Sequence, residues 1–358
     1  MVYPQIMTAL SGNKISSVNM WEKYRRDEIL QLFENYEFGV VPIERPEDLT
    51  FGVKEIVREQ GILQKKISIG FCGYEIKADL FVPDGNTKPL PTFLLVMHQA
   101  PVRNCDYENG LDFEFIPITD IIKRGYAVVA VPLYHISADF FENGKYTGGV
   151  FDVLDGERKD NSWSIIAAWS WGARRVMDYL ETDKDVDSGK VVVVGHSRGG
   201  KTALWTGACD KRFAMAVSND SGCAGAAFTR GKKGEHLDFI NTNTDWFCEN
   251  YKKYNDNEDM LPFDQHMLLS LMAPRPLYVA SSTEDEWSDP ESELKSCLLA
   301  SEAYELYGLK GAVVPENGAE IDTPYHKGKI GYHNKTGVHG LTKTDWKFFM
   351  DFTDQHIK

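Results

Sequence analysis

Five consecutive residues near the middle of the chain carry its strongest chemical signal. Gly195-His196-Ser197-Arg198-Gly199 follows an apolar run, VVVV, and precedes GGKTALWTGA, which has the composition of a helix. A sharp turn from a strand into a helix needs small residues around its centre, and it projects the central side chain above the sheet. The pattern predicts a nucleophile elbow with Ser197 as the nucleophile.

A serine hydroxyl is a poor nucleophile until a base removes its proton, and in hydrolases with such an elbow the histidine comes last in the chain. Of the nine histidines, His339 lies in the stretch GVHGLTKTDW, directly before a final amphipathic segment, and is the predicted base. His333 and His326 are its rivals, and both are predicted to be solvated loop residues. The histidines next to apolar runs are predicted to be structural: His98, His135 and His266.

The third member of a triad is a carboxylate that orients the imidazole and stabilises its cation. Two predicted strand ends offer one. The stretch LYVASSTEDEWSDP contains Asp285 at the usual acid position of this architecture, and AVSNDSG contains Asp220. Asp285 is the preferred prediction, and Asp220 is the alternative acid.

Two cations follow the serine. In an elbow, the backbone N–H of the residue after the nucleophile, here Arg198, stabilises the oxyanion. Its guanidinium is predicted either to add positive charge to the tetrahedral intermediate or to pair with a lid carboxylate. Lys201 lies one helical turn after Ser197 and is predicted to face the same pocket mouth, where it would attract an anionic or polyhydroxylated substrate.

Short, almost fully apolar runs predict the scaffold that positions these residues, since they are typical of parallel strands buried on both faces. They are residues 92–98, 126–134, 190–197, 213–220 and 276–283. Helical stretches separate them, the clearest at 164–180, and alternating residues at 49–86 predict antiparallel strands. Together with the elbow, this order predicts an α/β-hydrolase fold, a three-layer sandwich with a mostly parallel central sheet flanked by helices.

The chain shows no repeat or long polar linker, so residues 1–358 are predicted to form a single domain. Residues 1–45 are predicted to be a helical segment packed on the body, with Trp21, Tyr24 and Phe33 on the buried face of a helix. Residues 221–265 are predicted to be an insertion near the active site, because chain added after a strand covers the edge where open α/β sheets bind ligands.

Composition excludes several classes of protein. The chain has 53 acidic against 39 basic residues, a net charge of −14, and no cluster of cations, which argues against nucleic acid and anionic membranes as partners. Its six cysteines form no CxxC pair and are predicted to be free thiols. We expect a monomer without metal or cofactor. The start of the sequence resembles no signal peptide, which predicts a cytoplasmic protein, or a secreted or periplasmic one if this is a mature form.

Several stretches resemble a known family. SRGGK after Gly-His is similar to the G-C-S-R-x-G-K signature of the glucuronoyl esterases of carbohydrate esterase family 15, with His196 in place of the cysteine. The resemblance extends through NDSGCAGAAFTR, DWFCENY, LPFDQHMLLSLMAPRPLYVAS and GVHGLTKTDW. It implies that Arg198 and Lys201 help to bind the oxyanion and the sugar. It also implies that Trp287 contacts the uronate and that Asn243 contributes from the insertion.

The resemblance implies a serine esterase that cleaves esters of glucuronic or 4-O-methylglucuronic acid through an acyl-enzyme. The substrate would be glucuronoxylan, or its oligosaccharides, esterified to lignin alcohols. Two alternatives stay open: another carbohydrate esterase, acting on acetyl or feruloyl groups, and an inactive hydrolase fold that binds sugar. The acid also stays open, because fungal members have a glutamate where this sequence has Asp220.

Overall fold

The computed structural model describes residues 3–98, 111–139, 141–142, 145–146, 148–231 and 233–358. Cys105 lies outside them. The strands are β1 Thr50–Glu59, β2 Ile62–Phe71, β3 Tyr74–Pro83, β4 Leu90–Met97, β5 Ala127–Pro132, β6 Phe141–Glu142, β7 Lys145–Tyr146, β8 Val186–His196, β9 Met215–Asn219, β10 Leu277–Ser282 and β11 Ile330–Lys335. The helices are α1 Val18–Met20, α2 Arg26–Tyr36, α3 Ile118–Lys123, α4 Phe151–Leu154, α5 Ile165–Leu180, α6 Arg198–Cys209, α7 Leu237–Asn243, α8 Glu249–Lys252, α9 Gln265–Ser270, α10 Pro290–Glu305 and α11 Lys343–His356.

Nine of the described strands form one sheet, in the order β1-β2-β3-β5-β4-β8-β9-β10-β11. The strands from β5 to β11 in this order run parallel, and β1, β2 and β3 are antiparallel at the other end. All five predicted apolar runs lie on parallel strands. Within this nine-stranded sheet, the sequence analysis missed β11, because its sequence IGYHNK mixes glycine and polar side chains with apolar ones and lacks the expected run.

Alternate residues of β4 belong to two different hydrophobic cores, one on each face of the sheet. Leu94 and Val96 pack in the core that contains α2, α5, α6 and α10, whereas Phe93 and Leu95 pack in the core that contains α3 and α11. Burial on both faces explains why these strands read as continuous apolar runs. The predicted three-layer α/β-hydrolase architecture is confirmed.

The N-terminal helix differs from the prediction in one respect. Trp21 and Phe33 are buried as expected, but Tyr24 is 66% exposed. A π-helical turn, Trp21–Arg25, joins α1 to α2 and adds one residue to the regular helical repeat. The buried face of the helix therefore includes Arg25 instead of Tyr24.

Residues 221–265 follow β9 and contain the short helices α7 and α8. The carbonyl oxygen of Trp246, between these helices, accepts a hydrogen bond from the Ser164 hydroxyl at the start of α5. This segment therefore touches the body at α5. Within the described residues, no helix combines the length and apolar character that crossing a membrane requires, and the described cysteines are free thiols.

Candidate active site

Ser197 occupies a tight turn between β8 and α6. Its backbone has φ 57° and ψ −127°, a conformation that side-chain-bearing residues rarely adopt. Its N–H donates to the carbonyl of Asn219 at 2.8 Å. A Cβ at Gly195 would lie 1.9 Å from the carbonyl oxygen of Gly199, so only glycine fits at position 195. The turn thus has the backbone of a nucleophile elbow.

The loops after β10 and β11 bring Asp285 and His339 together. Nδ1 of His339 lies 2.6 Å from Oδ2 of Asp285. Because an ionised carboxylate only accepts, Nδ1 carries the proton and Nε2 is left to accept one. The Ser288 hydroxyl donates to the same carboxylate oxygen at 2.5 Å. This arrangement gives the imidazole the tautomer that a general base needs.

Backbone hydrogen bonds hold these two loops against each other. Thr283 N donates to Lys335 O at 2.9 Å, and Glu284 N donates to Gly337 O at 2.8 Å. Asp285 and His339 therefore sit on loops that are joined to each other by backbone hydrogen bonds, which helps to hold the two side chains in contact.

His196, a residue of the elbow, packs against His339 of the Asp285–His339 pair. Its ring centroid lies 4.4 Å from that of His339, and it directly precedes Ser197 in the chain, so His339 packs against the elbow. Nδ1 of His196 lies 2.6 Å from Oδ1 of Asn219. Burial lowers the pKa of His196 well below the usual value, so this ring is neutral and adds no charge next to His339.

Asp220 approaches the same imidazole from the end of β9 but makes no hydrogen bond to it. Its Oδ2 accepts from Ser282 Oγ at 3.0 Å and from Gly340 N at 3.1 Å. Burial raises the pKa of Asp220 to about 7, although the ammonium group of Lys335 opposes this rise. Of the two candidate acids, only Asp285 contacts His339 directly.

One ligand-type atom from each of Asp220, Asp285 and His339 lies within 4.8 Å of the others, a spacing that suits a cation. The His339 atom that faces Asp285, however, is the protonated Nδ1, and a metal ion there would have to displace the 2.6 Å hydrogen bond between the two residues. Asp220 has its own donors, Ser282 Oγ and Gly340 N.

The pKa of His339 responds to two opposing effects. Burial alone would lower it, but the hydrogen bond and negative charge of Asp285 outweigh burial and raise the pKa above that of an ordinary histidine. For Asp285, burial would raise the pKa, but hydrogen bonds from His339 and Ser288 bring it below the usual value. At neutral pH Asp285 is therefore ionised.

This shift predicts the pH profile of hydrolysis. A base must be neutral, so kcat/KM should fall as pH drops through the raised pKa of His339, with a midpoint above the usual value of about 6.5. Asp285→Asn should move the midpoint of the residual activity downward, and Asp220→Asn should move it less, because Asp220 acts only through its charge. A midpoint that does not move in Asp285→Asn would contradict the assignment.

Arg198 lies in a cluster with Asp139 and Trp246. Its guanidinium forms an ion pair with Asp139 and lies over the Trp246 ring, 4.7 Å from the centroid. Trp246 Nε1 donates to the other oxygen of Asp139 at 2.7 Å. The ion pair foreseen as one alternative therefore forms, but with a carboxylate in the chain after β5 and not with one of the insertion.

Lys201 is buried, not at the pocket mouth as predicted. Its Nζ donates to the carbonyls of Ser221, at 2.8 Å, and Cys223, and to Glu235 at 3.2 Å. These acceptors belong to the chain that leaves β9, whose position relative to α6 the local sequence does not reveal. Lys201 thus binds the start of the insertion to α6, the helix that follows the elbow. Its partner Glu235 also lines a cavity, which is described below.

Lys201→Met should lower thermal stability. Removing one partner of a buried ion pair costs about 3–5 kcal/mol, because the carboxylate and the two carbonyls lose their donor. We expect a drop of several degrees in Tm by differential scanning calorimetry. Lys253→Met removes a partner of Asp160 in a pair that is exposed on both sides, and it should leave Tm unchanged. Equal values for the two variants would show that the Lys201 network adds no stability.

A cavity of about 420 Å³, called the front cavity below, opens beside Arg198. Its wall includes Asp139, Arg198, Glu235, Asn243, Trp246 and Trp287. Trp287 is 49% exposed and meets the ring of Phe239 edge-on at 5.1 Å. Asn243 is exposed, and its Nδ2 donates to the carbonyl oxygen of Phe239 at 2.8 Å. The structure therefore brings Trp287 and Asn243 together with Arg198.

The rival histidine His333 is not a solvated loop residue. It is fully buried on β11, with Nε2 2.8 Å from Asp345 Oδ1 and Nδ1 3.0 Å from the Tyr278 hydroxyl. His326 is half-buried and contacts the same hydroxyl at 3.0 Å. Both rings serve the packing between the sheet and α11, and neither meets Asp285.

The sequence analysis missed residues that support the site from elsewhere in the chain. Glu293 on α10 accepts hydrogen bonds from the backbone N–H groups of Ser221 and Gly222 and from Ser281 Oγ, and burial raises its pKa to about 8. It holds the loop that follows Asp220. An acidic residue in the first turn of a helix is common, so the sequence carried no signal of this contact.

An elbow serine on a mostly parallel sheet, with an aspartate and a histidine on loops at the same edge, is the arrangement typical of the α/β-hydrolase class. A family model described as fungal glucuronyl esterase matches residues 74–308. The chain belongs to the glucuronoyl esterases of carbohydrate esterase family 15, as the sequence resemblance predicted.

Individual relatives agree. The chain is 35% identical to Carbohydrate esterase MZ0003 from an unknown prokaryotic organism, covering 99% of this chain and 89% of the relative. It is 30% identical to 4-O-methyl-glucuronoyl methylesterase 1 of Wolfiporia cocos, covering 83% and 70%. Among solved structures, a glucuronoyl esterase from Solibacter usitatus superposes with a TM-score of 0.90 at 34% identity, covering 99% and 97%. A promiscuous CE15 esterase from a marine bacterial metagenome has a TM-score of 0.87 at 34% identity, also covering 99% and 97%.

Proposed function

We propose that this chain hydrolyses esters of glucuronic acid and 4-O-methylglucuronic acid, with Ser197 as nucleophile, His339 as base and Asp285 as acid. The observation that carries the proposal concerns Arg198, the residue that follows the elbow serine. Its guanidinium is held by Asp139 and Trp246 in a cavity that Trp287 also lines. Relatives named 4-O-methyl-glucuronoyl methylesterases support glucuronic acid as the acid part of the ester substrate.

The reaction proceeds in two steps. His339 takes the proton of Ser197 as the hydroxyl attacks the ester carbonyl, and the backbone N–H of Arg198 stabilises the resulting oxyanion. The C–O bond to the alcohol then breaks, His339 returns its proton to the alcohol, and an acyl-enzyme remains. Water, activated by His339, hydrolyses this intermediate and releases the uronic acid. Asp285 holds the imidazole and stabilises its cation throughout.

Arg198→Ala tests whether the guanidinium acts in the transition state. If its charge meets the oxyanion, kcat should fall about 10²-fold with little change in KM, because the oxyanion exists only during reaction. Arg198→Lys should recover part of kcat. Steady-state kinetics on methyl glucuronate decides, and a rise in KM with unchanged kcat would instead assign Arg198 to ground-state binding of the sugar.

Another carbohydrate esterase activity is the second candidate, because one similar structure is of an esterase described as promiscuous. Acetyl and feruloyl esters present no uronate, so they would not use the ring contacts of Trp287. The test is parallel turnover of methyl or benzyl glucuronate, acetylated xylan and p-nitrophenyl acetate. The proposal expects the highest kcat/KM for the glucuronates. A large preference for acetyl substrates would overturn it while leaving the esterase assignment intact.

A further inference from the structure

Lys335, the last residue of β11, is a buried lysine that the reaction described above does not use. The residue is only 4% exposed. Its Nζ lies 2.7 Å from Ser282 Oγ, 2.8 Å from the carbonyl oxygen of Gly340 and 3.1 Å from Asp345 Oδ2. These three acceptors match the three N–H donors of an ammonium group. Lysine is almost never buried without such partners, so the partners show what this charge is placed to hold.

Two of these contacts belong to a closed ring of hydrogen bonds around Gly340. Asp220 Oδ2 accepts from Ser282 Oγ at 3.0 Å and from Gly340 N at 3.1 Å. Lys335 therefore donates to the Gly340 carbonyl, whereas Asp220 accepts from the Gly340 N–H. The Ser282 hydroxyl joins the two, since it accepts from Lys335 and donates to Asp220. This ring of Lys335, Ser282 and Asp220 is called the Gly340 clamp below.

The Gly340 clamp acts on the peptide bond that follows the candidate base. The amide nitrogen of Gly340 and the carbonyl group of His339 lie in one rigid plane, so a hydrogen bond to that nitrogen restricts the backbone that carries the imidazole. Apolar packing contributes little at this point, because Thr336, Val338 and His339 are exposed. The polar contacts at Gly340 therefore have a large share in holding the imidazole in place.

Charge strengthens the Gly340 clamp from both ends. Burial raises the pKa of Asp220 to about 7, and the ammonium group of Lys335 opposes this rise, which favours the charged carboxylate as the acceptor. On its other side, Lys335 contacts Asp345 Oδ2, while Oδ1 of the same carboxylate lies 2.8 Å from His333 Nε2. Asp345 thus anchors the ammonium group. Hydrogen bonds in a buried ring of this kind also polarise one another, which makes each of them stronger.

We propose that Lys335 is a positioning residue of ester hydrolysis: by holding Gly340 from the protein interior, it keeps the imidazole of His339 in contact with its acid. The proposal rests on the proposed function for its reaction. The alignment of the imidazole, however, can be measured in the resting protein without any ester.

Lys335→Met removes the charge and the donors but keeps a long side chain. It should lower kcat about 10²-fold, the effect of displacing a reacting group by about 1 Å. KM should change little, because Lys335 is not among the described residues that line the front cavity. Lys335→Arg, which keeps a cation and its donors, should recover part of kcat. Steady-state kinetics on both methyl glucuronate and p-nitrophenyl acetate measures these effects on two unrelated esters.

Lys65→Met is the matched control. Lys65 is buried on β2 and lies 2.6 Å from Asp183 and 2.8 Å from Asp185. Both methionine variants leave a carboxylate without its cation, so both should lower Tm. Only Lys335→Met should lower kcat. Equal effects of the two variants on kcat, or no effect of Lys335→Met, would overturn the proposal.

Ser282→Ala opens the ring while it keeps every charge of the Gly340 clamp. It should lower kcat about fivefold, the effect of one lost hydrogen bond. This variant decides the question if Lys335→Met does not fold, and an unchanged kcat would then count against the clamp.

Nitrogen NMR of protein labelled with ¹⁵N-histidine provides a readout independent of hydrolysis. At a pH at which His339 is neutral, the wild type and Lys65→Met should show the Nδ1–H tautomer, which the 2.6 Å contact with Asp285 selects. Lys335→Met should show a mixture of both tautomers, and the spectrum of His339→Ala identifies the signal. Such a mixture supports the proposal even if glucuronate esters are not cleaved. An unchanged Nδ1–H tautomer in Lys335→Met would overturn it.

Discussion

Ser197→Ala should remove essentially all ester hydrolysis, with a loss in kcat on the order of 10⁶. Ser197 is the hydroxyl that the strained turn presents at the edge of the sheet, and His339 has no other hydroxyl beside it on the elbow. The fold should survive, because the elbow depends on its glycines and backbone and not on the serine Oγ. Burst and steady-state kinetics with p-nitrophenyl acetate give the rate, and circular dichroism with a thermal melt verifies folding.

His339→Ala should lower kcat nearly as much as Ser197→Ala does. A variant that carries both substitutions should lose hardly more, because triad members act as a unit. His326→Gln is the matched control, since that ring is half-buried and bonds to Tyr278 away from Asp285. If His339→Ala kept more than about a tenth of the activity, against an expected loss of at least 10³, another group would have to serve as the base.

Asp285→Asn should lower kcat by about 10⁴, the effect of a triad asparagine that favours the wrong imidazole tautomer. The fall in kcat caused by Asp220→Asn should be at least tenfold smaller than the fall caused by Asp285→Asn. Asp285 bonds to His339 at 2.6 Å and is ionised, whereas Asp220 makes no such bond and has its pKa raised by burial to about 7. A partly protonated carboxyl stabilises an imidazolium less well than an ionised one.

Single-turnover kinetics on methyl glucuronate, with both variants checked for folding, decides the ranking. The reverse order of the two losses would assign the triad acid to Asp220. Similar, moderate losses would mean that both carboxylates share the role. Ser288→Ala adds a check, because it removes a hydrogen bond from the Asp285 carboxylate, whereas at Asp220 the same hydroxyl reaches only the backbone carbonyl, at 3.3 Å.

The parts of the fold that the sequence predicted are those with a local signal. Continuous apolar runs marked the parallel strands, and Gly195 and Gly199 marked the turn, because burial on both faces and a close backbone approach restrict residue type directly. Strand β11 has no continuous apolar run, so its local sequence predicted a loop at His333.

Contacts between distant segments could not be predicted in this way. The burial of Lys201 depends on carbonyls at Ser221 and Cys223, and the orientation of Arg198 depends on Asp139. Each partner lies at least twenty residues away and has no periodic pattern of its own. A charged residue near a predicted site thus has a predictable neighbourhood but not a predictable partner.

The convergence of Asp220 and Asp285 on one imidazole has a consequence for substitutions at the site. The two carboxylates start from neighbouring strands, and one ligand-type atom of each lies with one of His339 within 4.8 Å. The candidate acid is therefore backed by a second carboxylate close to the same ring, on the end of the adjacent strand. In a protein that carries both, a substitution at one of the two strand ends still leaves a carboxylate near the imidazole.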